Sequence, residues 1–183
     1  MLTGKECSVI LRPIDRNGSF RPLTTARVLY FFYYMAAGAY LPFIALYYQR
    51  IGLSGAQIGS LSAVYLAVAS SASSLWGGIA DRFRLHRQVL SLALCLNPVA
   101  IYLLSRTQQF GLLFPIIVLF AVAIAPISPL LDSLALEVAG MHRSTYGGLR
   151  VCGTVGWIVS AWLVGKLIEA WGLQWLFYSY FLY

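Results

Sequence analysis

The sequence predicts an all-α membrane protein, and three observations carry that prediction. Of 183 residues, 60% are hydrophobic; only 10% are charged; and the apolar residues fall into runs long enough to cross a bilayer. An ordinary soluble domain carries about 25% charged residues, whereas this chain has a mean hydropathy of +0.75. In hydrocarbon each backbone N–H and C=O must be satisfied within the chain, so a run of ~20 apolar residues becomes a helix. The net charge of +7 would point to nucleic acid in a soluble protein. Here it is the placement of the cations around the apolar runs that carries information, and no nucleic-acid partner is expected.

Residues 1–26 read as a polar cytoplasmic tail. Lys5, Glu6, Arg12, Asp15, Arg16 and Arg21 interrupt any apolar stretch that would make a cleavable signal peptide. Helices are expected over approximately 27–49 (helix I), 57–79 (II), 88–105 (III), 111–137 (IV) and 147–168 (V). A sixth starts near Trp171 and reaches Tyr183 after "WGLQWLFYSYFLY", about two thirds of a span. Helix VI is therefore expected to be incomplete and the chain to be a fragment.

Orientation follows from the loops. With the N-terminus inside, one side collects Lys5, Arg12, Arg16, Arg21, Arg27, Arg82, Arg84, Arg87, Arg143 and Arg150, against Arg50, Arg106 and Lys166 on the other. That bias predicts a multi-pass protein of the plasma or inner membrane with a cytoplasmic N-terminus.

Helix II carries Ser60, Ala63, Ala67, Ser70, Ser71, Ser74 and Gly78 at helical spacing. Small residues let membrane helices approach closely, so this face is expected to pack; hydroxyls lining a polar path are the other reading. Helix IV contains Pro115, Pro126 and Pro129. The last two remove hydrogen-bond donors and bend the helix, leaving the carbonyls of Val122 and Ala125 in need of water or a neighbour. Cys7, Cys95 and Cys152 are scattered, which fits free thiols better than disulfides or a metal site.

Two stretches carry candidate chemistry. The first is "GGIADRFRLHR", residues 77–87, between helices II and III. Asp81 can meet a helix N-terminus or a cation across a moving interface; alternatively it is a solvated acid in a basic loop. The second is the hairpin of helices IV and V. Asp132 lies on the order of 10 Å below the inner interface, with Arg150 18 residues later on the next helix. An unpaired charge at such depth costs at least ~2.5–3.5 kcal/mol, so a partner or a watered cavity is expected. Along helix V, Gly153, Thr154, Trp157 and Ala161 share a face with Arg150, and Trp157 stands two turns, ~10.5 Å, from it. A guanidinium that fork-bonds oxygen, an indole plate and small residues between them suit a ligand with hydroxyl or carboxyl groups and a flat face. A purely structural Asp132–Arg150 pair and a packing role for Trp157 are the alternatives.

Gly77, Asp81 and Arg82 resemble the G-x-x-x-D-[RK] signature of the major facilitator superfamily, although Arg84 and Leu85 replace the glycine and basic residue that usually follow. The stretch "YGGLRVCGTVGW", residues 146–157, is similar to the start of helix V in lactose permease and its relatives. Helix I, with Leu41-Pro42-Phe43 and the Ile51-Gly52-Leu53 turn, is more similar to the nucleoside and phenylpropionate permease branch. The resemblance implies the N-terminal six-helix bundle of a twelve-helix fold, a 3+3 inverted repeat, completed by a C-terminal six-helix half. It also implies alternating access, with Asp132, Arg150 and Trp157 binding a small-molecule substrate, Gly77, Asp81 and Arg82 gating, and a proton as coupling ion. Gly148 stands where those relatives carry a second arginine, and Asp132 is one methylene shorter than their glutamate, which puts galactoside specificity in doubt and leaves the substrate open. The expected role is proton-coupled symport of a sugar, nucleoside or aromatic acid.

Enzymatic activity is not expected. No Ser/His/Asp set, metal-ligand cluster or phosphate-cradling loop appears, no cofactor is implied, and His86 and His142 fall in loops. The other reading is a truncated or half-size membrane protein that does not transport and packs with a partner or with itself.

Overall fold

A computed structural model describes residues 21–139 and 143–183, and all regular structure among them is helical. The helices are α1 (Arg21–Tyr40), α2 (Ile44–Arg50), α3 (Gly55–Phe83), α4 (His86–Arg106), α5 (Phe110–Ile124), α6 (Ile127–Ala139), α7 (Arg143–Trp171) and α8 (Trp175–Leu182). Five stretches of these residues are long and apolar enough to span a bilayer: Thr24–Arg50, Gly55–Phe83, Gln88–Arg106, Phe110–Ser133 and Tyr146–Trp171. α8 opens a sixth. Residues 1–20 of the expected tail, and Gly140 to His142 in the turn before helix V, lie outside the described residues. Helix I begins at Arg21 rather than at 27.

Proline breaks the spans that were expected to be continuous. Pro42 ends α1, and the chain re-enters α2 through Phe43 N–H to Tyr40 O (3.1 Å) and Tyr47 N–H to Phe43 O (3.0 Å). α2 stops in a Schellman turn. Gly52 takes φ +86°, a region a side chain disfavours, Leu53 N–H reaches Tyr48 O (3.1 Å) and Gly52 N–H reaches Gln49 O (3.0 Å). Ser54 and Gln57 then form a capping box that starts α3.

Helix IV is two helices, broken at Ala125-Pro126. The Val122 carbonyl loses its usual donor to Pro126, as the sequence predicts, and the neighbour that replaces it is the Trp76 indole of α3, with Nε1–H donating at 3.1 Å. This bond joins α3 to helix IV at the point where helix IV bends.

The face of α3 that packs is not the small-residue face. Leu61 and Ala72 are buried, with Tyr65 and Trp76 packed against the core. Ala63, Ala67, Ser70, Ser71, Ser74 and Gly78 are exposed, and only Ser60 is half-buried. The Ser70 and Ser71 hydroxyls bond back to Leu66 O and Ala67 O, which satisfies them without any second helix. The small side chains permit close packing, but the described residues supply no helix to occupy that face.

The interior forms two clusters. One gathers Tyr40, Tyr47, Tyr48, Phe120, Leu173, Leu176 and Phe177 among others. The opposite end gathers Tyr30, Ala80, Val89, Leu90, Ile127, Leu131 and Leu149.

Candidate functional site

At the Tyr30 end, α1, α6 and α7 bring three of the chain's polar groups into one neighbourhood. Asp132, half-buried on α6, accepts a hydrogen bond from the Tyr30 hydroxyl of α1 at 2.5 Å. Tyr30 is only 1% exposed, so its hydroxyl faces inward, and the length is that of a charge-assisted O–H···O⁻ bond. Tyr34 stacks on Tyr30 with centroids 5.9 Å apart. Tyr146, on the first turns of α7, stands within electrostatic reach of both Asp132 and Arg150.

Arg150 does not pair with Asp132. The ion pairs of the described residues are Asp81–His86 and Lys166–Glu169, and Arg150 is exposed on α7, its carbonyl accepting from Thr154 Oγ1 at 3.1 Å. The carboxylate's partner is thus a phenol 102 residues away rather than the arginine 18 residues away.

The small residues between Arg150 and Trp157 serve α1. A Cβ placed on Gly153 would lie 2.6 Å from the Tyr34 ring, and one on Gly156 would lie 2.5 Å from the Phe31 carbonyl oxygen. Across the same seam, a Cβ on Gly38 would lie 2.7 Å from the Trp157 carbonyl oxygen. These three glycines let α1 and α7 touch backbone to backbone. Gly153 thus faces Tyr34 and Gly156 faces Phe31, while Arg150 and Thr154 are exposed and Trp157 is half-buried.

In the loop between α3 and α4, Asp81 meets His86 Nε2 at 2.9 Å. Arg84 takes the left-handed conformation (φ 55°) where the signature has glycine, at a cost of roughly 1–2 kcal/mol, and that turn brings His86 back onto Asp81. Arg82 is exposed and Gly77 half-buried; a Cβ on Gly77 would meet nothing within 4 Å.

Sequence reasoning passed over two polar contacts. Tyr30 sits in an aromatic run whose members look alike, and no spacing ties it to Asp132. Asn97, buried at 3% on α4, accepts from the Tyr180 hydroxyl of α8. An asparagine before Pro98 in an otherwise apolar span was the available signal, since intramembrane amides seek interhelical partners.

With this geometry in view, comparison with known proteins is decisive on family. A family model described as the MFS_1 like family matches residues 23–183. The chain belongs to this major facilitator family of transporters. It is 31% identical over 158 residues to the maltose permease of Geobacillus stearothermophilus, covering 86% of this chain and 40% of that protein. It also matches two Escherichia coli K12 proteins whose names are provisional assignments. One, YegT, is named as a nucleoside transporter (26% identity, 81% of this chain, 36% of that protein). The other is named as a 3-phenylpropionic acid transporter (29%, 76% and 37%). The chain therefore spans about two fifths of the length of these relatives and corresponds to an N-terminal half of the family's fold. The family transports solutes rather than catalysing reactions.

Proposed function

We propose that the intact protein is a proton-coupled symporter of a small organic solute, working by alternating access from the plasma or inner membrane with its N-terminus cytoplasmic. Asp132, Arg150 and Trp157 hold the substrate from this half of the molecule, and a C-terminal six-helix half completes the pathway. The observation that carries this reading is the separation of Asp132 from Arg150. An exposed guanidinium on α7 is available to fork-bond hydroxyl or carboxyl oxygens, while the intramembrane carboxylate rests on a neutral phenol. The names of the relatives support a sugar, a nucleoside or an aromatic acid as the substrate.

The test is uptake by the intact reading frame in proteoliposomes with an imposed proton gradient, offering maltose, a nucleoside panel and phenylpropionate. Gradient-driven uptake of one class is expected, lost in Arg150→Ala and weakened in Trp157→Phe. Asp132→Asn is expected to weaken it as well. Uptake indifferent to both Arg150 and Asp132 would return those residues to a structural role. A half-size protein that packs with itself is the reading to adopt if no class is taken up and the particle carries two copies.

A further inference from the structure

Helix IV is divided between the two interior clusters. Leu113, Ile117 and Phe120 of α5 belong to the Tyr40 cluster, while Ile127, Leu130, Leu131 and Ala135 of α6 belong to the Tyr30 cluster, and Ile124 at the joint packs against both. Pro126 and Pro129 each lack the N–H that would bond four residues back, so the carbonyls of Val122 and Ala125 lose those donors. The Trp76 indole, packed on the Tyr30 cluster from α3, supplies one to Val122 at 3.1 Å. Taking Asp132 as the substrate residue proposed above, we infer that Trp76 is a positioning residue for that site: its bond to the Val122 carbonyl fixes the angle between α5 and α6, and with it the place of Asp132.

The acceptor is what sets this bond apart. In an unbroken helix the Val122 carbonyl would already be taken by the N–H of residue 126, so an indole finds it free only at the proline break. The donor comes from a helix that also grips α5: Tyr65, three turns before Trp76 on α3, stacks on Phe120 with centroids 5.8 Å apart. α3 thus touches helix IV at α5 and again at the joint, and the second contact governs the direction in which α6 leaves. Asp132 lies six residues beyond Pro126, ~9 Å along α6. A swing of ~10° about the joint would displace it by ~1.5 Å, enough to carry the 2.5 Å contact with the Tyr30 hydroxyl beyond hydrogen-bond range. A bond that selects one orientation of α6 raises the fraction of molecules whose site is assembled, and apparent affinity follows that fraction.

The test measures how uptake by the intact protein in proteoliposomes depends on concentration, with the compound of the maltose, nucleoside and phenylpropionate panel that it takes up. Trp76→Phe keeps an aromatic ring in place and removes the donor. It is expected to raise the half-saturating concentration about threefold, the factor that one interhelical hydrogen bond in a membrane is worth, with the maximal rate unchanged. In an Asp132→Asn background the same substitution should add little, because the carboxylate it positions is gone. In a Pro126→Ala background it should also add little, because residue 126 then supplies the missing N–H itself. Hydrogen–deuterium exchange of residues 127–135 should quicken in Trp76→Phe while that of residues 113–120 holds. An unchanged half-saturating concentration, a lower maximal rate alone, or unchanged exchange through residues 127–135 overturns the positioning role and leaves Trp76 a structural contact. So does a threefold effect that persists in either background. If Asp132→Asn itself leaves uptake unchanged, or no compound of the panel is taken up, the substrate role of Asp132 fails first, and the positioning role of Trp76 falls with it.

Discussion

The two ends of the bundle are built differently. Around Tyr40 the interior is a continuous mesh of rings: Tyr40 lies 5.1 Å from Phe120, Tyr65 stacks on Phe120 at 5.8 Å, and Tyr47 meets Phe177 edge-on at 5.0 Å. Side chains from α1, α2, α3, α4, α5 and α8 share that cluster. Around Tyr30 the buried cluster is mostly aliphatic and alanine, and the side-chain hydrogen bond between α1 and α6 is a single hydroxyl–carboxylate one. Ring packing has no second arrangement of similar energy close by, whereas a single hydrogen bond to a titratable group can be exchanged for another. One end holds the bundle together. The other holds the groups proposed to change partners.

The most damaging change should therefore fall at the Tyr40 end. Phe120, 1% exposed, touches rings from two other helices, and Phe120→Ala is expected to destabilise the protein by about 3–5 kcal/mol, read as a lower midpoint of thermal unfolding in detergent. If the midpoint holds, the contrast between the ends is wrong. Tyr30→Phe comes next. It removes a hydrogen bond to a charged acceptor, worth roughly 1.5–3 kcal/mol, and Asp132→Asn combined with it should recover most of the loss, because the uncompensated charge goes too. In a uniformly rigid bundle the double variant would instead be worse than either single one.

Much of this architecture was legible in the sequence because bilayer physics leaves few choices: apolar runs gave five spans, and Pro126 marked both the bend in helix IV and the orphaned Val122 carbonyl. What replaced the donor at Val122 was not legible, since nothing in the spacing says that Trp76 lies 3.1 Å away. The site was harder. Eighteen residues between Asp132 and Arg150 placed them on neighbouring helices, but hydrogen bonding to Tyr30 depends on how α1 sits, a long-range fact. Gly153 and Gly156 are ambiguous in any membrane sequence: small residues mean either room for a ligand or room for a helix, and only the position of α1 decides. The small-residue face of α3, read as a packing face, meets no helix among the described residues.

The Trp76 bond sharpens the comparison at the boundary between the two ends. Interhelical hydrogen bonds in membranes average ~0.6 kcal/mol, so Trp76→Phe should lower stability by about that much, far less than Phe120→Ala. Its clearer readout is local: hydrogen–deuterium exchange around residues 121–127 should quicken, because the helix IV bend loses the donor that α3 supplies. Unchanged exchange there would mean that water serves the Val122 carbonyl equally well.

The smallest effect on stability is expected at the α3–α4 loop. Asp81 and His86 form an ion pair only when the imidazole is protonated, and their side chains are 79% and 38% exposed. Exposed pairs contribute little, so His86→Gln should leave the unfolding midpoint within measurement error. A functional change is still expected, because the left-handed Arg84 turn holds this pair beside the Tyr30 cluster, which Ala80 and Leu85 join. If Asp81 must leave His86 during the transport cycle, His86→Gln should change the uptake rate while the unfolding midpoint holds. An unchanged rate would leave the loop as a static turn.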